Sequence, residues 1–195
     1  IGIDQFNADL VSICSHKFHG PRGSGALFSR SPLLPHPILF GGAHENERRA
    51  GTENLPAVAG LVAALERFVP SPVFSQAALA PLRSRLFELI HSIEGATFRG
   101  SSSNFLSNTI SFTVTGCDSI ALMAALDIEG ICASSGSACS AGSLEPSHVM
   151  RAMGVSEAES NALVRFSLGR DTTESEITLV ESVLPNVIRQ VRTSE

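Results

Sequence analysis

The chain contains no tryptophan and no tyrosine in 195 residues, so its own near-ultraviolet background is low. Cysteine is scarce: the four at 14, 117, 132 and 139 show neither zinc-site spacing nor the pattern of a secreted disulfide framework, and a reduced, cytoplasmic setting is the simpler expectation. His16-x-x-His19 has no third ligand nearby, so no metal is expected. Net positive charge is also missing; a balance of -5 argues against nucleic acid as the main partner. No apolar run reaches membrane-spanning length and no signal peptide is seen, which removes the membrane as an expected partner. The phosphate-binding glycine loops are absent too. There is no Gly-Lys-Ser/Thr, and Gly20-x-x-Gly23-x-Gly25 is out of order for a dinucleotide fingerprint.

What is present reads as an ordinary globular chain, at 43% hydrophobic and 17% charged residues, long enough to bury a core and to split into two lobes. Pro70-Ser71-Pro72 marks the division, giving expected domains 1–69 and 70–195. Before it, Leu55, Val58, Leu61, Val62, Leu65 and Phe68 recur at helical spacing. After it, Leu82, Leu86, Leu89, Ile90 and Ile93 do the same. Thr109 to Val114 alternates, with Ile110, Phe112 and Val114 on one face of a half-buried strand. Asp118 caps a helix through about Glu129, and Ser156-x-x-Glu159 and Thr173-x-x-Glu176 have the capping-box pattern. The last helix buries Ile177, Val180, Leu184, Val187, Ile188 and Val191, with a kink or restart expected at Pro185. Helices over a sheet with interspersed strands make an α/β small lobe.

Three places carry chemistry. Lys17 follows the strand-like run Asp9 to Cys14 and sits among glycines at 20, 23 and 25, which allow a sharp turn or close approach to something bulky. A lone lysine so placed is either a Schiff-base amine or a solvated loop residue. Its ordinary pKa of about 10.4 makes it a poor nucleophile unless burial or a cation such as His16 lowers that value. Residues 133 to 143 are small, with Cys139 in the middle. A run without bulky side chains cannot anchor itself in a core, so a mobile loop carrying a nucleophilic thiol is expected, against the alternative of a plain linker. In Val164-Arg165-Phe166-Ser167-Leu168, Arg165 and Ser167 lie opposite the apolar face. A guanidinium held on a strand grips a carboxylate through two parallel hydrogen bonds, or snorkels to solvent. Cys117 and Cys132 read as packing residues.

Four collinear segments resemble the cysteine desulfurases of the NifS/IscS type, which are pyridoxal-phosphate enzymes of the class V aminotransferase superfamily with fold type I. They are Ser15 to Gly23, Gly41 to Asn54, Ser134 to Cys139 continuing through Leu144-Glu145-Pro146-Ser147, and Val164 to Arg170. The resemblance implies the C-terminal portion of such an enzyme: the end of the large cofactor domain plus an α/β small domain. Family elements that precede the lysine outnumber the residues before Lys17, so the first strands are expected to lack sheet partners and expose their edges. It further implies that Lys17 bonds pyridoxal 5'-phosphate and serves as the base, and that His16 and Cys14 contact the cofactor phosphate. A serine commonly stands at the Cys14 position, and a thiol is a weaker donor. Thr52 would reach the phosphate from the other subunit of a homodimer. Arg165 would bind the substrate α-carboxylate, and Cys139 would take sulfur from L-cysteine as a persulfide, leaving alanine. An iron–sulfur scaffold or a thiolation protein would accept that sulfur. A class V aminotransferase or selenocysteine lyase would keep Lys17 and Arg165 without needing the Cys139 loop. A non-enzymatic sulfur carrier would need Cys139 alone.

Overall fold

A computed structural model describes residues 3–101, 103–136 and 147–192; Cys139 and the centre of the small-residue run lie outside them. The chain divides into two compact units, Ile1–Pro72 and Val73–Glu195.

In the first unit, β1 (Leu10–Cys14) and β2 (Gly25–Ser29) form an antiparallel two-stranded sheet, with Leu10 opposite Ser29 and Cys14 opposite Gly25. Neither strand has another neighbour among the described residues. A short α1 turn (His44–Glu47) follows, in which Glu45, Asn46 and Glu47 all have positive φ, at 50°, 57° and 63°. Such left-handed backbone costs L-residues roughly 1–2 kcal/mol each. The helix expected from the apolar spacing is α2 (Leu55–Phe68). Asn54 caps it by accepting from the Ala57 amide at 3.2 Å, and Pro56 sits in its first turn, where the missing N–H has no helical partner to lose. Its buried face differs from the expected stripe. Ala57, Leu61 and Ala64 are buried, whereas Leu55, Val58 and Val62 are exposed.

The second unit carries the main core. In order, α3 (Leu79–Ser92), β3 (Ala96–Phe98), β4 (Thr109–Val114), α4 (Ser119–Ile128), α5 (His148–Ala152), α6 (Glu157–Ser160), β5 (Leu163–Ser167) and α7 (Glu174–Val191) build an antiparallel sheet, β3-β4-β5, packed by α3, α4 and α7. The alternation in β4 is borne out: Ile110, Phe112 and Val114 are buried among Leu86, Ile90, Leu122, Leu126, Leu184 and Val187. Asp118 caps α4 by accepting from the Ile120 and Ala121 amides at 2.9 and 3.1 Å. Thr173 and Glu176 form a reciprocal capping box at α7. At α6 the Ser156 hydroxyl accepts from the Glu159 amide at 3.3 Å.

Two expectations are corrected. Helix α7 runs through Pro185 without restarting, because Leu184, Val187 and Ile188 beside it are buried and their packing offsets the roughly 3 kcal/mol that an interior proline costs. Cys132 is exposed and not a packing residue, while Cys117 does pack against the core, its thiol pushed up in pKa mainly by burial. Between Phe68 and Leu79 the chain passes Pro70 and Pro72, so the apolar stretch from Leu55 to Ser92 is two helices of 14 residues. Each is about 21 Å long, shorter than the ~30 Å hydrocarbon core of a bilayer.

Candidate functional site

The lysine turn is held by its backbone. Cys14 closes β1, and a 3-10 turn, Ser15–Phe18, begins at once with the Ser15 amide donating to Ser24 O at 3.1 Å. His19 then takes a left-handed conformation (φ 69°), and the Gly20 amide returns to Ser15 O at 3.0 Å. Glycine at position 20 leaves room for Ser15: a Cβ there would lie 1.9 Å from Ser15 Oγ and force that hydroxyl to move. Helix α2 packs against the same turn, with Gly60 admitting the Pro21 ring and Phe68 meeting the His19 ring at 4.6 Å. These contacts fix the turn and leave His16 and Lys17 exposed, with no side-chain hydrogen bond or ion pair among the described residues.

Between them and the rest of the turn Ser15 is fully buried, and its hydroxyl has no partner among the described residues. Leaving a buried hydroxyl unpaired costs on the order of 1–3 kcal/mol. Cys14, His16 and Lys17 are exposed around it, and a free amine beside an imidazole and a thiol suits an aldehyde-bearing phosphate ester. Pyridoxal phosphate, which the family implies, fits this donor set. Thr52, after Gly51 in its left-handed conformation (φ 103°), is exposed and also makes no side-chain hydrogen bond among the described residues. Arg49 shapes that loop by donating from Nη1 to Ala50 O at 2.8 Å.

In the second unit Arg165 sits on β5 between buried Val164 and Phe166, on the sheet face away from the core, as its flanking residues suggest. Its Nε is buried and has no hydrogen-bond partner among the described residues. The start of the small-residue run is anchored, contrary to expectation. Ser134 donates its amide to Arg165 O at 3.1 Å and accepts the Arg165 amide at 2.7 Å, and Ala133 packs against the core. Backbone pairing, which needs no bulky side chain, does what side-chain burial was not available to do. Sequence reasoning gave no role to Ser15 or Ser134; the only signals were that Ser15 adjoins Cys14 and His16 and that Ser134 lies in the small-residue run. Among the described residues no cluster of three or more His, Cys, Asp or Glu gathers as for a metal.

The aminotransferase class-V family profile matches residues 1–180, and the chain belongs to that family. Relatives within it carry the name cysteine desulfurase. A cysteine desulfurase of Rhodobacter capsulatus is 41% identical over 184 residues, covering 94% of this chain and 48% of its own length. The solved structure of a NifS-like protein from Rickettsia africae superposes with a TM-score of 0.83 at 28% identity, over 97% of this chain and 50% of that one. SspA, solved in complex with cysteine, gives a TM-score of 0.63 at 34% identity over 89% and 47%. The chain thus spans about half the length of the relatives it matches. The expected α/β fold and the family are borne out.

Proposed function

We propose that this chain supplies the lysine, the carboxylate grip and the sulfur-accepting thiol of a cytoplasmic, pyridoxal-phosphate-dependent cysteine desulfurase acting on L-cysteine. The observation that carries the reading is Lys17, exposed and without a side-chain hydrogen bond or ion pair among the described residues, on a turn closed by backbone hydrogen bonds. The similarity to named cysteine desulfurases at 37–41% identity supports it.

Lys17 would hold the cofactor through its aldehyde, and His16, Cys14 and, from a second copy in a homodimer, the threonine at position 52 would contact its phosphate. The cofactor, when bound, supplies an electron sink for negative charge at the substrate Cα. Lys17 Nζ moves the proton at that carbon. Arg165 binds the α-carboxylate through two parallel hydrogen bonds, orienting the side chain of the substrate. Cys139 thiolate attacks the substrate sulfur; an S–S bond forms as the Cβ–S bond breaks, and protonation of Cβ leaves alanine. The resulting persulfide passes to an acceptor, an iron–sulfur scaffold or a thiolation protein.

Pyridoxal phosphate added to the purified chain and dialysed should leave a visible absorption band that Lys17→Ala lacks. A band of equal intensity in Lys17→Ala would sink the assignment of Lys17. Where alanine is produced from cysteine, Cys139→Ala should abolish it with the band retained. Continued turnover in that variant would favour an aminotransferase-type or lyase reaction over desulfuration.

A further inference from the structure

One row of side chains is polar across the whole sheet of the second unit. Ser111 of β4 is the register partner of Arg165 on β5, and Arg99, one residue past β3, donates its amide to Ser111 O at 2.8 Å. On the other side Ser134 bridges Arg165. Residues paired in this way share a face with Cβ atoms about 4.5–5.5 Å apart, so Arg99, Ser111, Arg165 and Ser134 form one line, each of them half-buried. Two guanidiniums alternate with two hydroxyls.

The two arginines are in different states. Arg99 is paired: its Nε donates to Thr113 Oγ1 at 2.9 Å and its Nη2 pairs with Glu159. The Glu159 carboxyl is held below its ordinary pKa first by the Ser156 hydroxyl and then by Arg99. Arg165 has no ion pair and no side-chain hydrogen bond among the described residues, and its Nε is buried. The hydroxyls of Ser111 and Ser134, on either side of it, are likewise without partners there. A half-buried cation beside two unused donors is costly until an anion arrives.

We propose that Ser111 and Ser134 bind the same carboxylate as Arg165. This rests on the reading of Arg165 as the carboxylate grip and names further binding residues for it. A carboxylate offers about four lone-pair sites; a guanidinium fork takes two, and two flanking hydroxyls take the others. The ligand is the carboxylate of a small α-amino acid. Because Ser134 stands five positions before Cys139, the chain leading to the thiol starts at the carboxylate itself.

The test is a titration of the 15N-labelled 195-residue chain with L-alanine, read on the arginine Nε–H resonances, with L-alaninamide as the control lacking a carboxylate. The Arg165 resonance, assigned by its loss in Arg165→Lys, should move with L-alanine and stay still with alaninamide. Ser111→Ala and Ser134→Ala should each weaken the apparent affinity about three- to tenfold, and Ser111→Thr and Ser134→Thr should restore it, while backbone amide shifts of the second unit stay native. Unchanged affinity in both alanine variants overturns the proposal and leaves Arg165 as the grip. No response of Arg165 to L-alanine overturns both.

Discussion

The two units draw on one composition and do opposite things with it. In the second, sheet and helices enclose Leu86, Phe112, Val114, Leu122, Leu126 and Leu184, each no more than 1% exposed. In the first, Leu61 is the one large aliphatic side chain buried among the described residues, and Ile38 and Phe40 are 90% and 84% exposed. Hydrophobic content by itself makes no core. A sheet face has to meet a second layer, and a two-stranded ribbon with one helix is too small to supply one. The first unit spends its order on holding a turn; the second spends its order on packing.

The sharpest way to break this contrast is to separate the units. A chain of residues 73–195 should unfold cooperatively in urea, and one of residues 1–72 should bind a hydrophobic dye and show no cooperative transition. A cooperative transition in the shorter piece would erase the distinction. Next in size are core truncations. Leu86→Ala or Leu184→Ala should cost about 3–5 kcal/mol by urea melts, whereas Ile38→Ser in the first unit should leave stability within about 0.5 kcal/mol and reduce dye binding. Thr173→Ala, which removes one side of the α7 capping box, should cost about 1 kcal/mol.

Smaller still is an acid effect. Glu159, Glu176 and Glu181 all have carboxyls held below their ordinary range, by Ser156 and Arg99, by the Thr173 amide and hydroxyl, and by Arg85 respectively. A carboxyl depressed in the folded state binds protons less readily there than when unfolded. Its contribution is therefore present above the unfolded pKa of about 4.3 and lost as pH falls below it. The second unit should lose stability on acidification from pH 5 downward, and Glu159→Gln should flatten that slope. Thiol labelling gives the last comparison: Cys14 and Cys132, both exposed, should react with a disulfide reagent well before Cys117, whose pKa burial raises.

Much of the second unit was legible because its signals are local. Alternation gave β4, and Asp118 and Thr173 gave helix starts, since a cap is written within four residues. The apolar spacing of α2 was read correctly as a helix, but it did not say which of those side chains are covered: periodicity reports which side chains share a face, and only tertiary packing decides whether that face is buried. At Pro185 no restart occurs, as contacts with residues distant in sequence hold the helix through it. The Arg99–Glu159 pair joins positions 60 residues apart, and no local pattern announces it. In the candidate site, Lys17 and Arg165 stood out by type and setting, but the serines that surround them did not. Serine is ordinary in loops, and only burial at Ser15 and backbone pairing at Ser134 single them out.

The contact between position 20 and Ser15 has a consequence for how this segment can drift over evolutionary time. A single methyl group at residue 20 would strike the Ser15 hydroxyl and press on its carbonyl oxygen at 3.1 Å, displacing the residue that starts the lysine turn. Cys14, by contrast, faces outward, and exchange between thiol and hydroxyl there disturbs no packing. In a saturation library scored for retention of the turn, residue 14 should therefore accept several small side chains, and residue 20 should accept none.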